Sequence, residues 1–139
     1  MTNEIANVAA LTTAYKLWND SKGGSVDHWL GLLTDDVNFG SLAAGAVHMA
    51  FATDYDNKQK LKSYFDGLRM DWEMIHFTVD EFIAQNDSVV MRGRVAWRNK
   101  RTGKVCNSPK VDYWRFRDGK AVEFFEYFDT AGAQAAATP

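Results

Sequence analysis

Three side chains in the second half of the sequence combine proton-transfer chemistry with an apolar setting. In "KVDYWRFRDGK", residues 110–120, Asp112 alternates with Trp114 and Phe116. A strand would carry these three on one face and Val111, Tyr113 and Arg115 on the other. A carboxyl on an aromatic face is costly to desolvate unless it is paired or neutral. Burial among Trp97, Trp114 and Phe128 would raise its pKa and bring the neutral form within reach of pH 7. The stretch "EFFEYFD" repeats the pattern at Glu126, which shares a face with Phe124 and Phe128. In "DWEMIHFT", strict alternation sets His76 beside Trp72 and Met74. A carboxylate or imidazole in such a place can serve as a general base. Two carboxyls in one interior also repel, raising one pKa and leaving the other ionised. The plainer alternatives are a solvated acid at Glu126, a hydrogen-bonded core histidine at His76, and pairing of Asp112 with a lysine such as Lys110.

Composition limits what else the chain can be. Its 139 residues fit one domain, and 46% hydrophobic and 14% aromatic content is enough to build a core. The formal net charge of −2, with acids and bases interspersed, lacks the basic footprint of a nucleic-acid binder. A single cysteine, Cys106, excludes an internal disulfide and a multi-cysteine zinc site and suits a reducing cytoplasm. The three histidines show no metal-ligand spacing, and His28 and His48 read as helix-surface and loop residues. The opening "MTNEIANVAALTTAYKLWND" has neither the basic start nor the apolar run of a signal peptide. No apolar stretch nears the roughly 18 residues of a membrane span. The expectation is a cytoplasmic protein with no metal, no cofactor, and no nucleic-acid or membrane partner.

The elements that must position these groups follow from periodicity. Ile5, Val8, Leu11, Tyr15 and Trp18 recur at steps of three and four, one stripe of a first helix that "SKGG" ends. Ser25 can cap a second helix carrying Val26, Trp29, Leu30 and Leu33. "DDVNFGSL" reads as a short strand with Phe39 and Ser41 on one face, and residues 43–56 as a loop or lid. Asp56 and Gln59 form a capping-box-like start for a third helix that buries Leu61, Tyr64, Phe65 and Leu68. Beyond residue 71 the period becomes two, over 72–84, 88–100, 105–117 and 120–129, separated by the hairpin sequences "QND", "RTGK" and "RDGK". Helices followed by a meander give one α+β domain over 1–130, its curved sheet closing on the helices around a cone-like interior, with 131–139 as a flexible tail. Arg92, Arg94, Arg98 and Arg115 fall on the outer face. With Tyr113, Phe125 and Tyr127 this surface has the mixed aromatic and charged composition of a homodimer interface.

The element order, the "LLTDDVNF" that closes the second helix and the closing "WRFRDGKAVEFFEYFD" resemble the SnoaL-like branch of the NTF2-like superfamily, over about residues 5–130. Ketosteroid isomerase and limonene-epoxide hydrolase share that superfamily. The resemblance implies an NTF2-like cone: three N-terminal helices on a curved, mostly antiparallel sheet around an apolar pocket. It also implies that Tyr15 and Asp112 stand where the isomerases carry an oxyanion-binding Tyr–Asp pair. Ser41 stands at the isomerase's general-base position, and a serine cannot take a proton from carbon unaided, which leaves Glu126 or His76 as the base. Gly93 and Val95 replace the Arg and Asp of the hydrolases, whose last-strand acid corresponds to Glu126. The pocket walls implied are Trp18, Phe39, Ser41, Trp72 and Met74 with Val95, Trp97, Trp114, Phe124 and Phe128. The reading is a cofactor-free protein that binds a small hydrophobic, carbonyl-bearing molecule and catalyses proton transfer, isomerisation or dehydration. A non-catalytic ligand binder and a dimerisation module are the alternatives.

Overall fold

The structure is a computed structural model and describes residues 3–139; Met1 and Thr2, the start of the expected domain, lie outside the described residues. Helix α1 (Asn3–Asp20) is followed by α2 (Val26–Leu32), strand β1 (Leu33–Ser41), a 3-10 turn (Lys58–Lys60) and α3 (Leu61–Asp71). The meander β2 (Trp72–Gln85), β3 (Ser88–Asn99), β4 (Val105–Arg117) and β5 (Lys120–Phe128) leads to a final helix, α4 (Thr130–Ala137). The sheet order is β1-β5-β4-β3-β2, with β1 parallel to β5 and the other neighbours antiparallel. This is the expected α+β architecture, and the strand ends fall within a residue of the turn sequences. Asp118 and Gly119 both take positive φ, 51° and 81°, the backbone of a type I′ turn, and Asn86 does the same at 55° in the β2–β3 turn.

The inward face of the sheet packs against the first three helices. Leu11, Leu33 and Leu61 are fully buried at that junction, each contributing roughly 1.5–3 kcal/mol by leaving water. Helix α1 also covers the free edge of β2, where Asn19 Oδ1 accepts the Phe77 N–H at 2.9 Å. The outer face is a ladder of cross-strand ion pairs: Arg98 with Glu73 at 3.0 Å, Arg92 with Glu81 at 2.9 Å, Arg115 with Glu123 at 3.0 Å, and both nitrogens of a fork from Arg94 to Asp80. Two consecutive acids reach this face because the β2–β3 register slips between Val79 and Glu81.

Local details depart from expectation in three places. Ser25 stands at the N-cap of α2, but its hydroxyl makes no cap bond. The expected cap at Asp56 pairs with the Lys60 side chain instead; Asn57 caps the 3-10 turn that leads into α3 by accepting the Lys60 N–H, and α3 itself, with Lys60 at its N-cap, has no side-chain cap. Residues 130–137 are no loose tail. Asp129 caps α4 by accepting the Gly132 N–H at 2.8 Å, and Ala133, Ala136 and Ala137 are buried beside Met49, Ala52 and Trp72. The β3–β4 turn holds the other end, with Arg101 donating to Ala137 O and Lys104 to Thr138 O, both at 2.7 Å and both cations at a helix C-terminus. Alanines favour a helix, and Asp129 caps it, but they give no periodic signal of a buried face, so the sequence does not show what the segment packs on.

Residues 43–56 form successive turns that fold back along β1. Phe39 and Tyr55 exchange backbone bonds of 2.9 and 2.8 Å, and Phe51 lies so close to α3 that a Cβ at Gly67 would come within 2.4 Å of it. This segment and α4 meet over Trp72. Ala136→Asp places a carboxyl in that apolar contact, at a cost of about 3 kcal/mol or more for a buried charged group without a partner. Hydrogen exchange should quicken by roughly tenfold or more over 130–137 and 43–56 while β3–β5 keep their protection.

Candidate functional site

A cavity of about 110 Å³ lies between the helices and the inward face of the sheet. Of the expected wall residues, Trp18, Phe39, Trp72, Val95, Trp97, Trp114, Phe124 and Phe128 line it, as do Tyr15, Asp112 and Glu126. The rings are packed on one another: Trp29 stacks on Trp114 at 5.3 Å, and Tyr15 meets Trp29 edge-on at 5.1 Å.

Register places the polar groups. Asp112 on β4 faces Glu126 on β5, with the pairs Lys110–Phe128 and Trp114–Phe124 on either side. Because alternate residues share a face, Lys110, Asp112 and Trp114 all point inward with Glu126. Asp112 is 2% exposed, Glu126 5% and Lys110 7%. Lys110 Nζ donates to Asp112 Oδ1 at 2.5 Å and to Glu126 Oε1 at 3.2 Å. Tyr15 donates its hydroxyl proton to Asp112 Oδ2 at 2.6 Å, and Trp114 Nε1 donates to the Tyr15 oxygen at 2.9 Å. Tyr64 donates to Glu126 Oε1 at 3.1 Å. Glu126 Oε2 has no protein partner among the described residues, and Glu126 lines the cavity. Three rings, Phe77, Phe124 and Phe128, surround the Lys110 ammonium at 5.7–5.9 Å from their centroids.

Desolvation and charge set the protonation states. Burial pulls the Lys110 pKa down, but Asp112 and Glu126 outweigh it and hold the pKa above the ordinary lysine value. Burial raises Asp112, with Lys110 pulling against it and Glu126 adding to the rise, and the net direction is up. Tyr15 and Tyr64 are pushed well above the ordinary phenol value, by burial first and then by the two carboxyls, so both stay neutral donors. The arrangement is a protonated amine between two acids, with a phenol on each acid.

His76 does not join this group. The β2–β3 register slips between Met74 and His76, one extra residue at Ile75. The bulge reverses the alternation, so Phe77 faces the cavity in place of His76, whose Nδ1 lies 3.0 Å from Thr78 Oγ1. Met74 precedes the bulge and is buried, but it packs in the core and not on the cavity wall. Ser41 is buried beside Glu126 in the β1–β5 register, and its Oγ accepts the Ala43 N–H at 3.1 Å instead of facing the cavity. At Gly93 a Cβ would come within 2.2 Å of Thr78 O, so this backbone leaves no room there for a hydrolase-type arginine.

The pairing of Asp112 with Lys110, set out above as the plainer alternative, is what the structure holds, and Tyr64 is the polar member of this cluster that the sequence did not point to. Lys110 was legible by the same alternation that selected Asp112. Tyr64 stood on the buried stripe of α3 with nothing in sequence to point it at Glu126, 62 residues away. Met49, Phe51 and Ala52 from the expected loop and Ala133 from α4 also reach the wall. Among the described residues no three His, Cys, Asp or Glu side chains gather to hold a metal ion, and no helix is long and apolar enough to cross a membrane.

Comparison with known proteins agrees with this geometry at the level of fold. The profile of the SnoaL-like domain matches residues 11–124. No curated protein matches the chain. An NTF2-like protein of unknown function from Burkholderia pseudomallei superposes with a TM-score of 0.84 at 21% identity, covering 96% of this chain and 98% of that one. TerC, co-crystallised with polyporic acid, gives 0.81 at 22% identity over 95% and 98%. A protein of ketosteroid isomerase-like fold from Catenulispora acidiphila, in complex with trimethylamine, gives 0.74 at 12% identity over 94% and 97%. Identities this low establish the shared architecture and nothing about the reaction.

Removing the ammonium exposes the electrostatic balance. Lys110 is what pulls Asp112 down, so in Lys110→Met the folded-state pKa of Asp112 rises further above its unfolded value. A raised folded pKa contributes stability that is full below the unfolded pKa and is lost as pH climbs through the folded one. Thermal unfolding of Lys110→Met should therefore show a loss of about 3–5 kcal/mol at pH 8, most of it recovered near pH 5. The wild type, in which the two carboxyls hold the Lys110 pKa above the ordinary lysine value, keeps the amine charged across this range and should show no such dependence from that residue.

Proposed function

The chain belongs to the SnoaL-like domain family, and from that premise we propose that it binds a small hydrophobic, carbonyl-bearing molecule in its cavity and moves a proton on it without a cofactor. The observation that carries the reading is Glu126: a carboxylate in an aromatic cavity with Oε1 held by Tyr64 and Lys110 and Oε2 left free. A general base needs a fixed orientation, an open acceptor and a site shielded from bulk water, and Glu126 has all three. It also stands beside Ser41 in the sheet register, the neighbour of the position where the isomerase resemblance expects a base. Relatives in fold that were crystallised with polyporic acid and with trimethylamine support a cavity that takes small molecules.

Abstraction next to a carbonyl is a reading that can be observed without knowing the product. In D2O, a bound ketone or enol whose α-proton is removed and returned acquires deuterium, which NMR counts. Wild-type protein should catalyse this exchange for some members of a panel of aromatic and alicyclic carbonyl compounds. Glu126→Gln keeps the shape and should slow it by about 10²–10⁴-fold, the range typical of a lost general base, with ligand affinity nearly unchanged. The competing reading is a pure binder, favoured by the backbone-committed Ser41; it predicts ligands without exchange in wild type and variant alike.

The outer sheet face supports a second element of the proposal, a cytoplasmic homodimer formed through it. Tyr127 is 46% exposed there, packed on Phe125 at 4.8 Å between centroids and flanked by arginines that are already paired within the chain. An aromatic patch with neutralised charges desolvates at low cost. Sedimentation should give a dimer at micromolar concentration, and Tyr127→Glu should shift it to monomer without unfolding.

A further inference from the structure

In the polar cluster every hydrogen-bonding group has a protein partner except two. Tyr15 has one O–H, which goes to Asp112, and its oxygen already accepts Trp114 Nε1. Tyr64 has one O–H, which goes to Glu126. Neither phenol has a proton left for a ligand. Lys110 has three N–H donors, of which one goes to Asp112 and one to Glu126, so the third is without a protein partner on the cavity wall. The surrounding rings of Phe77, Phe124 and Phe128 attract the ammonium without offering a strong acceptor for that proton. The other open group is Glu126 Oε2.

We propose that Lys110, and not the Tyr15–Asp112 pair, is the donor that holds the ligand's anionic oxygen, and that the cavity accordingly selects molecules with one acidic or enolisable oxygen group: enols, phenols and ketones that form enolates. The inference rests on the proton-transfer reading above and names its substrate class. The step balances within the site. The α C–H bond, or the O–H bond of an enol or phenol, breaks; its proton goes to Glu126 Oε2; the electron pair goes to the ligand oxygen, through the carbonyl π-system where carbon is the acid. The negative charge moves from Glu126 to the ligand, so the total is unchanged. Lys110 can follow it, because its 3.2 Å bond to Glu126 is the looser of its two, while the 2.5 Å bond to Asp112 keeps the amine anchored. Tyr15 and Trp114 are then positioning residues, which hold the anchor in place through Asp112.

All five tryptophans line the cavity, so their emission reports occupancy directly. The probe is 4-nitrophenol, whose neutral and anionic forms absorb at different wavelengths. Titrated into the wild type at a pH where the free dye is mostly neutral, it should quench the tryptophans and take on the spectrum of the phenolate. Lys110→Met/Asp112→Asn removes the ion pair as a unit, so that no unpaired partner of it is left buried. It should still quench but hold the dye neutral, with affinity for the anion down roughly 10- to 100-fold, the range of a hydrogen bond to a charged group. Lys110→Arg keeps the charge and should retain the phenolate. Quenching by a dye that stays neutral in the wild type overturns the Lys110 assignment without any variant. So does a double variant that holds the phenolate as tightly as the wild type, and in both cases the pocket reading stands. No quenching by the dye or by any compound of the carbonyl panel overturns the pocket reading and the assignment together.

Discussion

The bonds from Lys110 Nζ to Asp112 and Glu126 join three ionisable groups beyond the reach of bulk water. Any one of them alone would be driven to its neutral form, since a lone charge in an apolar interior costs several kcal/mol. Together they are tolerated only while each oxygen that faces protein finds a donor, which is why two tyrosines from different helices and an indole converge on the same few ångströms. Two acids against one amine leave a surplus of one carboxyl, and that surplus is what gives the cavity a proton acceptor at all.

The rest of the molecule keeps this arrangement dry and in register. The β4–β5 pairing sets Asp112 opposite Glu126, and the parallel β1 brings Phe39 and Ser41 alongside. The bulge at Ile75 turns Phe77 inward to complete the ring of aromatics around the amine and turns His76 out. On the open side the turns of 43–56 and helix α4 meet over Trp72 through small or flexible side chains, Ala52, Met49 and the α4 alanines. Small residues let backbone approach closely, and the Asp129 cap and the Arg101 and Lys104 contacts fix the two ends of α4 over this apolar patch.

The placement of the acids was legible because alternation along a strand is a local rule. Asp112 with Trp114, and Glu126 with Phe124 and Phe128, needed only the period of two and the turn residues that bound each strand. The same rule places Lys110, two residues before Asp112, on the inward face as well. His76 shows where the rule stops. One inserted residue in β2 inverts the side chains from His76 to Val79, until the second slip restores the alternation, and nothing in "DWEMIHFT" marks the insertion, because a bulge is decided by how the neighbouring strand pairs.

The sequence by itself determined the α+β order, the strand limits and the two inward acids, since these depend on periodicity and turn chemistry within a few residues. Only the tertiary structure decided that the two acids share one amine, that Tyr15 and Tyr64 donate to different carboxyls, and that residues 130–137 are a packed helix. Those contacts span up to 97 residues of chain. Their strength comes from desolvation, a property of the assembled interior that no stretch of sequence possesses before the helices close over the sheet.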